Sequence, residues 1–147
     1  MIYFISGHRD LSYKDFEKYY IPKIQEIFDV DEYPEFVIGD CDGVDKFAMD
    51  YLISNYYHLP FEITIYHMYS SPRNTPINKS VEYYSRDIED LSKVGIYTIV
   101  NFIGGFKSDE ERDSAMTEYS DFDIALVKDN RWDSGTAQNI KRRHELQ

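Results

Sequence analysis

The sequence predicts an α/β protein built on a doubly wound, mostly parallel sheet of about five strands, with helices on both faces. Two observations lead to this prediction. Short apolar segments alternate along the chain with longer segments whose apolar residues recur at helical spacing. The short segments are also apolar on both faces, which is typical of parallel strands covered by helices on each side. A chain of 147 residues suits a single domain, which we expect to span residues 1–147.

The N-terminal half contains three predicted strands and two predicted helices. Residues 2–5 form a short apolar strand that ends at Ser6-Gly7. A helix follows over residues 12–30, where Ser12 caps the start and Pro22 kinks or divides the helix. The remaining elements of this half are a strand at 35–38, a helix at 44–57 and a strand at 61–66.

The C-terminal half begins with a loop rich in serine, proline and asparagine at residues 70–78. Ser108 and Glu111 have the spacing of a capping box, which indicates the start of a helix. The predicted elements after the loop are a surface helix at 78–94, a strand at 96–103 closed by Gly104-Gly105, a helix from 108 to 118 or 119, a strand at 122–127, and a helix from 134 to about 145.

Composition and charge limit the partners of this protein. The formal net charge is −11, which repels a polyanion, so we expect no long nucleic acid as a partner. No uninterrupted apolar run approaches the roughly 20 residues that a membrane helix requires, so we expect no membrane association. The single cysteine, Cys41, excludes an internal disulfide and favours a reducing compartment, the cytoplasm. No metal-ligand spacing is present, and we expect neither a metal nor a cofactor.

Fourteen tyrosines are spread along the chain. Tyrosine combines a large apolar ring with a polar hydroxyl, which suits the edge of a core. Because exposed aromatic rings favour interfaces, we also expect a homodimer or a higher homo-oligomer.

Three turns that join a strand to a helix point to one site. In the turn at 36–45, an apolar segment breaks at Gly39, and a second glycine, Gly43, precedes the helix. Such turns place free backbone N–H groups at the carboxyl edge of a sheet, where phosphates and small anions bind; alternatively, both glycines only permit positive φ. The stretches at 5–10 and 134–136 have the same character. Residues expected to converge on one crevice are Ser6, Gly7, Gly39, Gly43, Ser134, Gly135 and Thr136.

Five motifs that follow one another along the chain carry a resemblance to a known group of proteins. They are Ser6-Gly7-His8-Arg9, G-x-x-x-G-x-D from Gly39 to Asp45, Arg112-Asp113-x-x-Met116, Asp123 before an apolar strand, and Ser134-Gly135-Thr136. Together they resemble the motifs of the SLOG superfamily, Rossmann-like domains that include the YpsA-related proteins, the DprA core and the "lonely guy" (LOG) phosphoribohydrolases. The resemblance covers about residues 1–57 and 108–145. It implies a nucleotide or nucleotide-derived ligand, such as an ADP-ribose-like molecule, at the carboxyl edge of the sheet.

The polar residues of these motifs have alternative roles. Arg9 carries a planar fork suited to phosphate, or it forms a surface ion pair with Asp10. His8 is a hydrogen-bonding contact to the ligand, or an acid or base that titrates near neutral pH. Asp45 hydrogen-bonds ribose hydroxyls, or it complements the dipole of its helix. The hydroxyl of Ser134 binds phosphate, or it only caps its helix.

Arg112 and Met116 lie one helical turn apart on one face of a helix. The resemblance implies that Arg112 is a ligand-binding or catalytic arginine and that Met116 forms a wall of the base or sugar pocket; the alternative is a surface arginine above a core methionine. Two residues depart from the phosphoribohydrolases. Asn139 stands where those enzymes have a catalytic glutamate, and Asp113 stands where they have a lysine. Because an amide cannot act as a general base, the same hydrolytic mechanism is not expected.

These observations leave two hypotheses of function. The first is a protein that binds a small nucleotide-derived ligand as a sensor or sequestering protein. The second is an enzyme that cleaves or transfers an N-glycosidic bond, as a nucleoside or nucleotide N-ribohydrolase or a deoxyribosyltransferase-like protein. Glu118, with Arg112, is its candidate catalytic carboxylate, or Glu118 only solvates the end of its helix. Asp40 and Asp42 would repel phosphate unless they face away or are paired.

Overall fold

The computed structural model describes residues 1–57, 59–76, 82–85 and 98–147. Within these ranges the chain is an α/β protein with helices on both faces of a parallel sheet, which confirms the predicted fold class. None of the described helices is long and apolar enough to cross a lipid bilayer. The elements in chain order are β1 (Ile2–Ser6), α1 (Tyr13–Tyr19), α2 (Ile21–Val30), β2 (Glu35–Gly39), α3 (Val44–Tyr56), β3 (Phe61–Met68), β4 (Glu82–Ser85), β5 (Thr98–Phe106), α4 (Asp109–Tyr119), β6 (Phe122–Ala125) and α5 (Gly135–Leu146).

The six described strands form one sheet in the order β4-β5-β3-β2-β1-β6, and every neighbouring pair is parallel. From β1 the sheet grows outward through β2 and β3 to β5, and after α4 the chain returns to the opposite side of β1 as β6. The strand order therefore reverses beside β1. In doubly wound sheets, ligands bind at such a reversal, outside the carboxyl ends of the strands.

The two faces of the sheet carry separate cores, because side chains alternate along each strand. The larger core packs one face of the sheet against α1, α2 and α3. On the other face, Phe4 of β1 packs with Val37 of β2 and Met116 of α4. By the same alternation, Ser6 and Gly39, the last residues of β1 and β2, face the side of the sheet that α4 covers.

The first helical segment is divided as its proline predicts. α1 ends at Tyr19 and α2 begins at Ile21, with Pro22 in the first turn of α2, where a missing N–H breaks no intrahelical hydrogen bond. Ser12 caps α1, and its hydroxyl accepts a hydrogen bond from the backbone N–H of Asp15. Both sequence predictions for this segment are confirmed.

The helix predicted over residues 78–94 is wrong where the structure describes it. Most of that range lies outside the described residues, but Glu82–Ser85 is strand β4, which pairs in parallel with β5. Apolar spacing is ambiguous over so few residues, and the aromatic pair Tyr83-Tyr84 has the side chains that favour a strand.

Three strand ends also differ from the prediction. β3 runs on to Met68, and β6 stops at Ala125 rather than at residue 127. β5 continues through Gly104-Gly105 to Phe106, so these glycines lie within the strand instead of closing it. A Cβ atom on Gly104 would overlap the ring of His67 on β3, and the absence of a side chain is what lets the two strands stay paired there.

A buried tyrosine ties two strand ends together. Tyr20 lies at the junction of α1 and α2. Its hydroxyl donates to the carbonyl oxygen of Ser6 at 2.8 Å and accepts from the backbone N–H of Leu126 at 3.0 Å. Burial raises the pKa of Tyr20, so the hydroxyl remains a donor. This bridge fixes the carboxyl end of β1 relative to that of β6.

Replacing Tyr20 with phenylalanine is expected to destabilise the protein by about 1–3 kcal/mol, because a buried carbonyl group and a partly buried N–H group lose their partner. Urea denaturation followed by circular dichroism measures this change. The neighbouring Tyr19 is exposed, and Tyr19→Phe is the matched control, with an expected change within about 0.5 kcal/mol. Equal stability of the two variants would contradict the bridging role of Tyr20.

Candidate functional site

A cavity of about 330 Å³ opens at the carboxyl ends of β1 and β2, against the N-terminal parts of α4 and α5. Loops from both ends of the chain therefore meet at one hollow. The residues expected at the site that line it are Ser6, Gly7, His8, Arg9, Gly39, Asp45, Arg112, Met116, Gly135 and Thr136. Its further lining residues are Phe4, Cys41, Asp109, Asp113 and Asn139.

Two of the expected site residues support the loops instead of lining the cavity. Gly43 has a φ of 72° and lies against the backbone of His8 and Arg9, so glycine is required there for the close approach of two turns. Ser134 is the N-cap of α5, and its hydroxyl accepts from the backbone N–H of Ala137 at 3.2 Å. The capping interpretation of Ser134 is the one that the geometry matches.

Glu118 does not reach the cavity. It is exposed and lines a separate hollow beside Phe106. Glu118 follows Arg112 by six residues, which places it about 240° around α4 from the face that Arg112 presents to the cavity. The structure therefore separates the expected catalytic pair, and Glu118 is not the carboxylate partner of Arg112.

Two elements that line the cavity bring hydrogen-bonding groups without partners in the described part of the chain. The hydroxyl of Ser6 is buried and has no hydrogen-bond partner within the described part of the chain. α5 begins at Gly135 and Thr136, whose backbone N–H groups have no acceptor within the helix. Because a buried polar group without a partner costs free energy, an unused hydroxyl and the first N–H groups of a helix on residues that line one cavity indicate a place for a polar ligand.

The acidic turn after β2 is paired. The carboxylate of Asp40 is buried and accepts hydrogen bonds from the backbone N (2.7 Å), Nε (3.2 Å) and Nη2 (2.9 Å) of Arg73. It also accepts from Nη1 of Arg112 at 2.9 Å. Burial alone would raise the pKa of Asp40, but hydrogen bonds from Arg73 and the charges of both arginines lower it. Asp42 accepts from Nδ2 of Asn74 at 3.0 Å.

Arg112 is buried and fully engaged by carboxylates. Its Nη1 lies 2.9 Å from Asp40 and 3.1 Å from Asp109, and its Nε and Nη2 donate to Oδ1 of Asp113 at 3.1 and 2.9 Å. Burial would lower the pKa of Arg112, but the surrounding carboxylates, Asp113 first, raise it. A guanidinium with this many partners orients carboxylates around the cavity and offers no free fork to a ligand.

Asp45 brings a buried carboxyl group into the same cavity. It lies in the first turn of α3, and its Oδ2 accepts from the backbone N–H of Cys41 at 3.0 Å. A Cβ atom on Gly39 would lie 2.7 Å from that oxygen and 3.0 Å from Cζ of Arg112, so only glycine leaves room for both side chains. Burial raises the pKa of Asp45 to about 7, against the opposing charge of Arg112. A carboxyl group that titrates near neutral pH in a cavity is a candidate for proton transfer.

His8 is held as a neutral hydrogen-bond donor. Its Nε2 accepts from the backbone N–H of Lys128 at 2.9 Å, which leaves the proton on Nδ1. Burial, and then the charge of Arg131, lowers the pKa of His8. Of its two expected roles, this geometry suits a hydrogen-bonding contact. Arg9 pairs with Asp109 at 2.8 Å and not with Asp10, whose partner is Arg131.

The loop between β6 and α5 is fastened to the turn after β1. Lys128 pairs with Asp15 of α1, and Arg131 pairs with Asp10 at 2.6 Å. The turn itself uses left-handed backbone at residues 129 and 130, an aspartate and an asparagine, which tolerate that conformation. Trp132 projects from the same loop and is 68 % exposed.

Sequence reasoning missed two residues that organise the site. Arg73 lies between the two ranges that carry the resemblance, in a segment without a motif. Its role is to pair with Asp40, and only the need of a buried carboxylate for a cation could have indicated it. Asp109 was part of an acidic first turn of a helix, which also explains it without any site. The acidic turn after Gly39 was the available signal, because a buried carboxylate requires a cation from elsewhere in the chain.

The fold and the site define an α/β protein with a polar cavity at the carboxyl edge of a parallel sheet. In comparisons with known proteins, no family model, no curated protein and no solved structure matches this chain. Among the described residues, no group of three or more histidine, cysteine or acidic side chains is placed to hold a metal ion. The function proposed below therefore rests on the cavity and its residues.

Replacing Asp45 with asparagine is expected to remove a pH-dependent contribution to stability. The pKa of Asp45 is raised from 3.8 to about 7 in the folded protein, so its contribution is fully present below about pH 4 and is lost as the pH rises through 7. The free energy of unfolding of the wild type, relative to Asp45→Asn, should fall between pH 4 and 8 by up to about 4 kcal/mol. Urea denaturation across this range measures it, and a difference that stays constant would contradict the burial of a protonated carboxyl group.

Proposed function

We propose that this protein binds a small nucleotide-derived ligand in the cavity at the carboxyl edge of the sheet, as a sensor or sequestering protein. The observation that carries the proposal is the buried hydroxyl of Ser6, which has no partner within the described part of the chain and belongs to a residue that lines the same cavity as the first residues of α5. Leaving the hydroxyl of Ser6 and the first N–H groups of α5 without partners costs stability, and a bound ligand would supply those partners.

The size and chemistry of the cavity support a ligand of one base and one sugar. A volume of about 330 Å³ lies near the lower end of the roughly 300–1,000 Å³ of small-molecule sites. Phe4 and Met116 of the core lie under the cavity, each 1 % exposed, and make this part of its wall apolar. Polar groups from β1, α3, α4 and α5 line the rest. A few placed polar groups beside an apolar wall are typical of ligand sites.

The resemblance to the SLOG superfamily supports the same proposal from a separate direction. Residues of four of its motifs line the cavity: the turn after β1, the turn after β2, the Arg112 and Met116 pair, and the start of α5. In the resembled proteins these motifs imply a nucleotide-derived ligand. Asn139 and Asp113, which replace a catalytic glutamate and a lysine, favour binding over hydrolysis.

A second candidate function is cleavage or transfer of an N-glycosidic bond. The observation that favours it is Asp45, a buried carboxyl group of the cavity with a pKa raised to about 7. Such a group is suited to protonate a leaving base or to accept a proton. Asp45 would take the catalytic role that Glu118 is placed too far away to fill.

Incubation with a panel of nucleosides, nucleoside 5′-monophosphates, NAD and ADP-ribose separates the two functions. A binding protein leaves the ligand unchanged and melts at a higher temperature in its presence. An enzyme releases free base, which chromatography detects, and Asp45→Asn should abolish the release. A panel that neither changes the melting temperature nor loses its bases would contradict both functions.

Replacing Ser6 with alanine is expected to weaken ligand binding up to about tenfold, because one hydrogen bond to the ligand is worth about 0.5–1.5 kcal/mol. The stability of the ligand-free protein should change by less than about 0.5 kcal/mol or increase, since no described residue bonds the hydroxyl. Isothermal titration calorimetry and urea denaturation measure the two effects. Ser114→Ala, on α4 outside the cavity, is the control. Equal affinity of Ser6→Ala and the wild type would exclude Ser6 from the site.

We also propose that the protein acts in the cytoplasm as a homodimer or higher homo-oligomer. Exposed aromatic rings support the association, and they include Tyr13, Tyr19, Tyr33, Tyr57 and Tyr69. The single cysteine supports the compartment. Light scattering over a concentration series tests the oligomeric state, and a monomer mass at all concentrations would contradict it.

A further inference from the structure

We infer that the cavity holds an uncharged, hydroxyl-rich group at its α5 end, so that the ligand is a nucleoside and not a nucleoside phosphate. This inference rests on the proposed function and narrows it. Two observations carry it: the pairing of both guanidinium groups that line the cavity, those of Arg9 and Arg112, and the position of the carboxylate of Asp113.

The guanidinium groups of Arg9 and Arg112, which line the cavity, are already paired with carboxylates. Together with that of Arg73 they contact Asp40, Asp109 and Asp113 at 2.8–3.1 Å. Arg142 lies outside this lining, where its Nη1 donates to Oδ1 of Asn139 at 2.9 Å. Asp45 adds a fourth carboxyl group, and no described lysine lines the cavity. Among the described residues that line the cavity, a phosphate would therefore meet no cation that is not already paired, and it would have to displace a carboxylate to gain Arg9 or Arg112.

Asp113 lies beside the start of α5, a position that favours an anion. A Cβ atom on Gly135, the first residue of α5, would lie 4.0 Å from Oδ2 of Asp113. Arg112 holds the other oxygen at 2.9 Å, and Nδ2 of Asn139 donates to Oδ2 at 3.3 Å. The carboxylate already complements the positive end of the α5 dipole, and it would repel a second anion at close range.

Hydroxyl groups match this arrangement where a phosphate does not. Each hydroxyl donates one hydrogen bond and accepts others. The start of α5 supplies donors, the carboxylate of Asp113 supplies an acceptor, and the hydroxyl of Ser6 supplies either. A ribose diol uses both kinds of partner at once. The attached base would then lie toward the apolar wall of Phe4 and Met116.

Calorimetric titration of the full-length wild type with the four common ribonucleosides and their 5′-monophosphates tests this inference. The nucleoside that binds best should bind at least tenfold more tightly than its own monophosphate. Raising the salt concentration should strengthen monophosphate binding, because it screens the repulsion, and should leave nucleoside binding unchanged. This salt series needs no variant and does not depend on the folding of one.

Asp113→Asn removes the charge and keeps the size of the side chain. In this variant the preference for nucleoside over monophosphate should fall at least fivefold. Glu118→Gln is the matched control, because it removes the same charge from the same helix outside the cavity, and its preference should equal that of the wild type. Thermal denaturation confirms that each variant is folded before titration.

The outcomes separate this inference from the proposed function. A monophosphate that binds as tightly as its nucleoside, or more tightly, overturns the inference and leaves the proposed function standing. Binding of neither class at saturating concentration overturns the inference, and the proposed function falls with it when NAD and ADP-ribose also fail to bind. An Asp113→Asn variant that folds and keeps the wild-type preference excludes Asp113 as its source.

Discussion

The burial of one guanidinium group, that of Arg112, constrains the arrangement of the whole site. A buried charge is tolerated only when partners surround it, and here Asp40, Asp109 and Asp113 provide them. Asp40 in turn requires Arg73, which ties the segment after β3 to the turn after β2. An ion-pair network therefore forms part of the cavity wall, and each side chain in it is positioned by an oppositely charged neighbour.

The same network explains why glycine is needed at the end of β2. Gly39 lies under both Asp45 and Arg112, and any side chain there would occupy the space in which the two approach each other. Within the described part of the chain, the carboxyl group of Asp45 accepts one hydrogen bond, from the backbone N–H of Cys41. Burial raises the pKa of Asp45, so its carboxyl group is partly protonated near neutral pH. The charge of Arg112 opposes this shift only in part, because Arg112 interacts more strongly with the other carboxylates.

The fold and most of the cavity lining are predictable from the sequence, because both depend on local patterns. Strands apolar on both faces, glycine at each turn, the division at Pro22 and the cap at Ser12 are each encoded within a few residues. The partners of the charged groups are not local: Arg73 meets Asp40 and Arg112 meets Asp40 across long stretches of chain. The segment Glu82–Ser85 shows the same limit, since its pairing with β5 overrides a spacing that suggests a helix. Glu118 was misplaced because charge alone does not reveal which face of α4 a residue occupies.

The exposed indole of Trp132 gives this molecule an optical property of its own. It is the only tryptophan of the chain, and it lies in the loop that leads into α5, three residues before Gly135 at the cavity wall. Its fluorescence in the empty protein comes from a ring in contact with water. A ligand that moves this loop toward the cavity would transfer the indole to a less polar environment and shift its emission to shorter wavelength. The loop beside the cavity therefore carries its own fluorescent reporter.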